Sequence, residues 1–271
     1  MIPIPLDSFA IASAVGLMSG CHASIWGMYK DALHEGFRYG AFVRSIVIGA
    51  IVAVLLEIAF EFPLPAPHAL VLLFGLAYAV ERGIVEVLKT FIRLEDQSKY
   101  FIPMQFSIRG VPVTSAGARL AAGAAYVAAV IGTLLIVRNL NDSDSTLSHT
   151  GRAALGGLAV GVLLAIGGAW KDAPKEGFDI VKFFRSPVMT VLYACLLAQL
   201  TADHLLIAAA AIGYERATAE TYKTFFFPSR PRGKFSGKPV LYPALLKQRR
   251  YFVPVYVSIC ASVIACAVAA L

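Results

Sequence analysis

The sequence predicts an all-α polytopic membrane protein. Its eight transmembrane helices are expected to form two parallel four-helix repeats, related by a pseudo-twofold axis along the membrane normal. Composition, the recurrence of apolar stretches and an internal repeat lead to that class. Of the 271 residues, 58% are hydrophobic and only 15% charged, which excludes a water-soluble enzyme of this length. About 20 apolar residues cross the hydrocarbon core as a helix. Hydropathy marks such stretches at 8–28, 40–60, 68–91, 116–138, 153–170, 183–202, 204–226 and 251–271. Little chain is left for extramembrane domains, so function is expected in the helices and their short connections.

The repeat is read directly from the residues. GMYKDALHEGFRYGAFVRS from Gly27 aligns with GAWKDAPKEGFDIVKFFRS from Gly168 at a shift of 141 residues. This pairs Lys30 with Lys171, Asp31 with Asp172, Glu35 with Glu176, Gly36 with Gly177, Arg44 with Arg185 and Ser45 with Ser186. Gly16 and Gly20 fall on Gly157 and Gly161 at the same shift. ERGIVEVLKTF from Glu81 then matches ERATAETYKTF from Glu215 at a shift of 134, the loop EFPLPAPH making the first half longer. A third block pairs FSIRGVPV from Phe106 with FSGKPV from Phe235. Four spans separate equivalent positions, an even number, so both halves cross in the same direction. The predicted division is 1–140 as the first repeat, 141–152 as an extracytoplasmic linker and 153–271 as the second repeat.

Each span carries its own signals. Only MIPIPLD precedes the first, without the positive start of a cleavable signal peptide, so a permanent span is expected. Gly16 and Gly20 in the first span, and Gly157 and Gly161 in the fifth, give small-xxx-small faces for close helix packing. The second span places Glu57 and Glu61 near its outer end. The third and seventh end in Glu-Arg-x-x-x-Glu-x-x-Lys. The fourth is followed by the polar NDSDSTLSHT, and the eighth is apolar to the C-terminus. In the fifth, Pro174 and Gly177 predict a break at the end of the span, with Asp172 as N-cap of a new short helix. Twenty-two of the 24 Lys and Arg residues lie on the side of the odd-numbered connections. By the positive-inside rule that side is cytoplasmic and both termini are extracytoplasmic.

Several chemistries are excluded or demoted. Cys21, Cys195, Cys260 and Cys266 sit in apolar runs without metal-ligand or disulfide spacing. His22 stands alone in the first span and is read as a hydrogen-bonded core residue. No Gly-rich phosphate loop, Ser-His-Asp order or HExxH is present. The net charge of +7 lies between spans and not on a separable domain, which points to membrane lipids or a lipid phosphate and not to nucleic acid.

The charged motifs remain. Asp31 and Glu35, and Asp172 and Glu176, are four residues apart and share a helix face. Glu81, Arg82, Glu86 and Lys89, with Glu215, Arg216, Glu220 and Lys223, reach the same depth. Charges near the hydrocarbon are costly unless paired. The structural explanation pairs Arg82 with Glu86 and Glu86 with Lys89, while Lys30 and Lys171 reach to headgroups. The functional explanation makes the acid pairs oxygen ligands for Mg²⁺ bridging a phosphate. Lys30, Lys171 and the Glu-Arg-x-x-x-Glu-x-x-Lys residues are then candidates for substrate binding.

Duplicated Asp-x-x-x-acid motifs four spans apart in a helical membrane chain resemble the UbiA-type intramembrane prenyltransferases. The resemblance covers topology and two short motifs. It implies Mg²⁺-dependent transfer of a prenyl group from a diphosphate, with Asp31, Glu35, Asp172 and Glu176 as catalytic metal ligands and Lys30 or Lys171 offsetting the diphosphate charge. This chain has one Asp and one Glu per motif, preceded by Lys, where that family has Asn-Asp-x-x-Asp-x-x-x-Asp. Two other classes fit the sequence: a transporter or channel with a cation or proton pathway on the pseudo-twofold axis, and a lipid-binding scaffold subunit of a membrane complex.

Overall fold

The computed structural model describes residues 6–94, 104–141, 146–226, 235 and 237–271, apart from the side chains of 174–176 and 249. A long α-helix lies on each of the eight apolar stretches, those at 68–91 and 183–202 ending early at Val87 and Leu197: α1 (Leu6–Glu35), α2 (Tyr39–Phe60), α3 (Pro67–Val87), α4 (Ala116–Arg138), α5 (His149–Glu176), α6 (Ile180–Leu197), α7 (His204–Phe225) and α8 (Arg249–Ala270). Six of them, α1, α2, α4, α5, α6 and α8, are long and apolar enough to cross a membrane. A π-helical turn, Leu88–Ile92, extends α3. The connection to α4 holds a two-stranded hairpin, β1 (Ser107–Ile108) and β2 (Val111–Pro112), turned by Arg109 and Gly110 at positive φ.

Short polar residues set the helix ends. Ser115, Ser148, Asp179 and Asp203 accept backbone N–H bonds at the starts of α4, α5, α6 and α7. Gly36 (φ +78) and Gly177 (φ +82) end α1 and α5, a left-handed turn that glycine enters without a Cβ penalty. The predicted break in the fifth span is thus corrected. The helix runs unbroken through Asp172 to Glu176, and the cap is Asp179, which accepts from Val181 N at 2.9 Å and Lys182 N at 3.1 Å. Pro174 lies within the last turn, where one missing donor leaves no helix beyond it to bend.

Glycines bring helices into contact in both halves. A Cβ on Gly16 would lie 2.2 Å from Gly49 O, and one on Gly20 2.4 Å from Ser45 O, so α1 and α2 touch through backbone. Their counterparts Gly157 and Gly161 meet Thr190 and Pro187 of α6 in the same way. Between these pairs α3 crosses α7 at Gly75 and Gly213, where Gly75 meets Ala210 and Tyr214, and Tyr214 Oη donates to Val71 O at 2.8 Å. At the periphery, α2, α4, α6 and α8 expose Leu55, Ile131, Leu192, Val257 and Ile264. A surface this apolar suits a hydrocarbon surrounding, and together with the six long apolar helices it is compatible with an integral membrane protein.

His22 sits in the core as the sequence suggested. Its Nδ1 lies 3.3 Å from Tyr78 Oη, and its ring stacks on Tyr256 at 4.2 Å. Trp26 Nε1 donates to the same Tyr78 oxygen at 2.8 Å. Tyr78→Phe should therefore destabilise the protein by about 1–3 kcal/mol, since it strands a buried indole donor. A thermal melt of the purified variant that overlays the wild type would show the bond to be immaterial.

Candidate functional site

The ends of α1, α3, α5 and α7 bring both copies of the charged motifs to one end of the bundle. Lys30 Nζ reaches Glu220 Oε2 at 2.5 Å, and Lys171 pairs with Glu86. Under the two alignment shifts Lys30 is the counterpart of Lys171 and Glu220 that of Glu86. The two ion pairs are therefore the same pair made in each direction between halves. Arg82 grips its neighbour Glu81 through Nε at 2.5 Å and Nη2 at 2.8 Å, with Nη2 also 3.4 Å from Ser45 Oγ. In the second half, Ser186 Oγ donates to Glu215 at 2.7 Å, and Arg216 Nε lies 3.7 Å from the other Glu215 oxygen. Glu81 and Glu215 are both fully buried. Lys223 adds a second contact to Glu220 at 3.3 Å.

These partners correct the Arg82–Glu86 pairing expected along α3, while Lys89 remains among the cations that act on Glu86. Arg82 joins Glu81 and not Glu86, and Glu86 turns outward to Lys171 of the other half. Glu81 and Glu215, placed among the substrate-binding candidates, engage Arg82 and Ser186 respectively.

Around the ion pairs lies a cleft of about 460 Å³ between the halves. Its charged end holds Lys30, Asp31, Glu86, Lys89, Lys171, Asp172, Arg216, Glu220 and Lys223. Its wall is apolar and aromatic, from Phe91 and Phe106 beside the hairpin, Ala122 and Tyr126 of α4, and Leu163, Ile166 and Trp170 of α5. Trp170 Nε1 donates to Ser107 O at 3.2 Å, which fixes the hairpin against α5. A second cavity of about 530 Å³ shares Trp26, Asp31, Lys89 and Met104 with the cleft and continues past Glu35 to Arg38, Arg44, Arg82 and Arg93. Together the two spaces are lined by nine Lys or Arg and five Asp or Glu.

All the predicted site residues whose side chains are described sit at or under this end. The side chain of Glu176 lies outside the described residues. Of the acids expected to hold Mg²⁺, Asp172 is paired with Lys182 at 3.2 Å, while Asp31 and Glu35 line the second cavity. Among the described residues no three His, Cys, Asp or Glu side chains come together as a metal site. Sequence reasoning missed the aromatic wall and Lys182. The wall comes from three separate elements, so no motif announces it. Lys182 had a usable signal, since it introduces a charge where its counterpart in the repeated block is Ala41.

At the opposite end, Asn141 Oδ1 accepts from His204 N at 2.9 Å and lies 2.7 Å from His204 Nδ1. His149 Nε2 lies 3.0 Å from Ala198 O. This cluster ties the starts of α5 and α7 to the end of α4, and it lines none of the spaces described above. No known protein family, curated protein or solved structure matches this chain.

Proposed function

We propose that the protein is a membrane-embedded binder of a phosphate-bearing amphiphile, holding the headgroup at the charged end of the cleft and the chain along its aromatic wall. The observation that carries this reading is the meeting of the two surfaces in one space: cations in excess at one end, Tyr126, Leu163, Ile166 and Trp170 along the side. Phosphate favours such a cation-rich rim in a medium of low dielectric. In this reading the halves are related by a pseudo-twofold axis along the membrane normal, running between α3 and α7, which the reciprocal Lys30–Glu220 and Lys171–Glu86 pairs support. The basic connections then face the cytoplasm.

The same geometry ranks the alternatives below it. A pathway on the axis would have to pass where the α3 and α7 backbones touch at Gly75 and Gly213. Prenyl transfer needs carboxylates available to a metal, and of the acids expected to hold one Asp172 carries a lysine partner.

The test is retention of lipid by the detergent-purified protein, counted by native mass spectrometry. Dioleoylphosphatidate should bind and dioleoylglycerol should not, with binding unchanged by EDTA. Equal retention of the two, or of neither, would overturn the reading. Loss of binding on chelation would return the acid pairs to the role of metal ligands.

A further inference from the structure

Beside Asp172 lies a small cavity of about 50 Å³, lined by Gly177, Asp179, Lys182, Arg185, Arg216 and Lys223 among others. Each residue lining it is the repeat counterpart of one lining the 530 Å³ cavity beside Asp31. The two are one site in duplicate, open in the first half and nearly filled in the second.

Several lining positions differ between the copies, Leu164 for Ala23 among them, and two of the substitutions change charge. Lys182 stands where the first half has Ala41, and its ammonium lies 3.2 Å from Asp172. A lysine side chain therefore runs through the space that Ala41 leaves open. Asp179 stands where the first half has Arg38. Its carboxylate is spent on the start of α6, while Arg38 makes no such cap on α2 and lines the open cavity. Among the described residues the open copy is thus the more cationic one. Five Lys or Arg line it, with Asp31 and Glu35, and Glu81 engages Arg82. The closed copy has four with Asp172 and Asp179, one of them already on Asp172.

We infer that the open cavity beside Asp31 is a single phosphate-monoester site, whose repeat counterpart is occupied by the protein's own Lys182. The inference rests on the proposed lipid-phosphate function and locates it: Arg38, Arg44 and Arg93 meet the phosphate, and the shared boundary at Trp26 and Met104 leads the remainder of the ligand into the apolar cleft. A phosphate monoester can arrive on a lipid or on a soluble molecule, and the two sources differ in whether that cleft is used.

The experiment exchanges the differences between copies in the full-length protein and counts bound dioleoylphosphatidate by native mass spectrometry, with glycerol 3-phosphate as the soluble probe. The wild type should bind one equivalent. Arg38→Asp with Ala41→Lys should weaken that binding tenfold or more, and Ala41→Lys alone should weaken it in the same direction. Asp179→Arg with Lys182→Ala should raise the stoichiometry to two. Tight binding of phosphatidate with weak binding of glycerol 3-phosphate identifies a lipid, and equal binding of both identifies a soluble phosphate; either outcome supports the site. If the wild type binds neither probe, the proposed function falls and this site with it. If the wild type binds phosphatidate but Ala41→Lys and the double variant bind it equally well, the function stands and this location is wrong.

Discussion

Gly213→Leu is expected to abolish recovery of folded protein, and Gly213→Ala to destabilise it by about 3 kcal/mol or more, at or beyond the usual upper range for overpacking. A Cβ at Gly213 would lie 1.9 Å from Gly75 O and 3.2 Å from Ala79 N. These are backbone atoms of the facing helix, so no rotamer change relieves the overlap. The whole α3–α7 seam would have to open, and with it the approach of Ala210 to Gly75 and the Tyr214–Val71 hydrogen bond. Gly83, also on α3, supplies the control because a Cβ there meets nothing within 4 Å. Gly83→Ala should be neutral or stabilising by up to about 1 kcal/mol, the helix propensity difference. Thermal unfolding followed by size-exclusion chromatography distinguishes the two, and a Gly213→Ala variant that melts like Gly83→Ala would refute the seam.

Lys30→Met should cost about 3 kcal/mol, while Lys171→Met should cost about 1 kcal/mol or less. The two lysines make equivalent ion pairs but in different surroundings. The Lys30 and Glu220 side chains are 12% and 10% exposed, against 25% and 38% for Lys171 and Glu86. Removing one partner of a buried pair leaves an uncompensated charge, at about 3–5 kcal/mol, whereas exposed pairs contribute 1 kcal/mol or less. Lys223 stays 3.3 Å from Glu220, which holds the Lys30 effect to the lower end of that range. The charge-reversed double variant Lys30→Glu with Glu220→Lys should recover part of the loss. Equal unfolding midpoints for Lys30→Met and Lys171→Met would show that burial does not separate the two pairs.

Both effects concern groups that the chain itself made conspicuous, yet the sequence assigned them partners less well than positions. Arg82 was read with Glu86 because i,i+4 neighbours on an isolated helix meet each other. In the fold, Glu86 has a lysine from the other half within reach, and Glu81 is the nearer acid for Arg82. The break expected at Pro174 shows the same limit from the backbone side. Proline in a helix is disruptive in mid-helix, and here the terminating Gly177 follows so closely that the helix ends before a kink can develop. The cap that Asp172 was expected to provide falls to Asp179, which sits at the true start of α6.

The sequence by itself determined the all-helical apolar character, the places of the eight long helices, the residue matches of the repeat and the glycines through which α1 meets α2 and α5 meets α6. Those properties are carried by local composition, by hydropathy over a helix length and by residue matches at a fixed shift. Only the tertiary structure decided which charge meets which, because Lys30 and Glu220 are 190 residues apart and Lys171 and Glu86 are 85 apart. It also decided that one copy of the duplicated cavity is filled and the other open. A lysine stands at one position and an alanine at its counterpart, and the sequence displays that difference without saying what the lysine reaches. Its consequence is a matter of the space enclosed by α1, α2 and α3 on one side and α5, α6 and α7 on the other, a volume that exists only once the helices are packed.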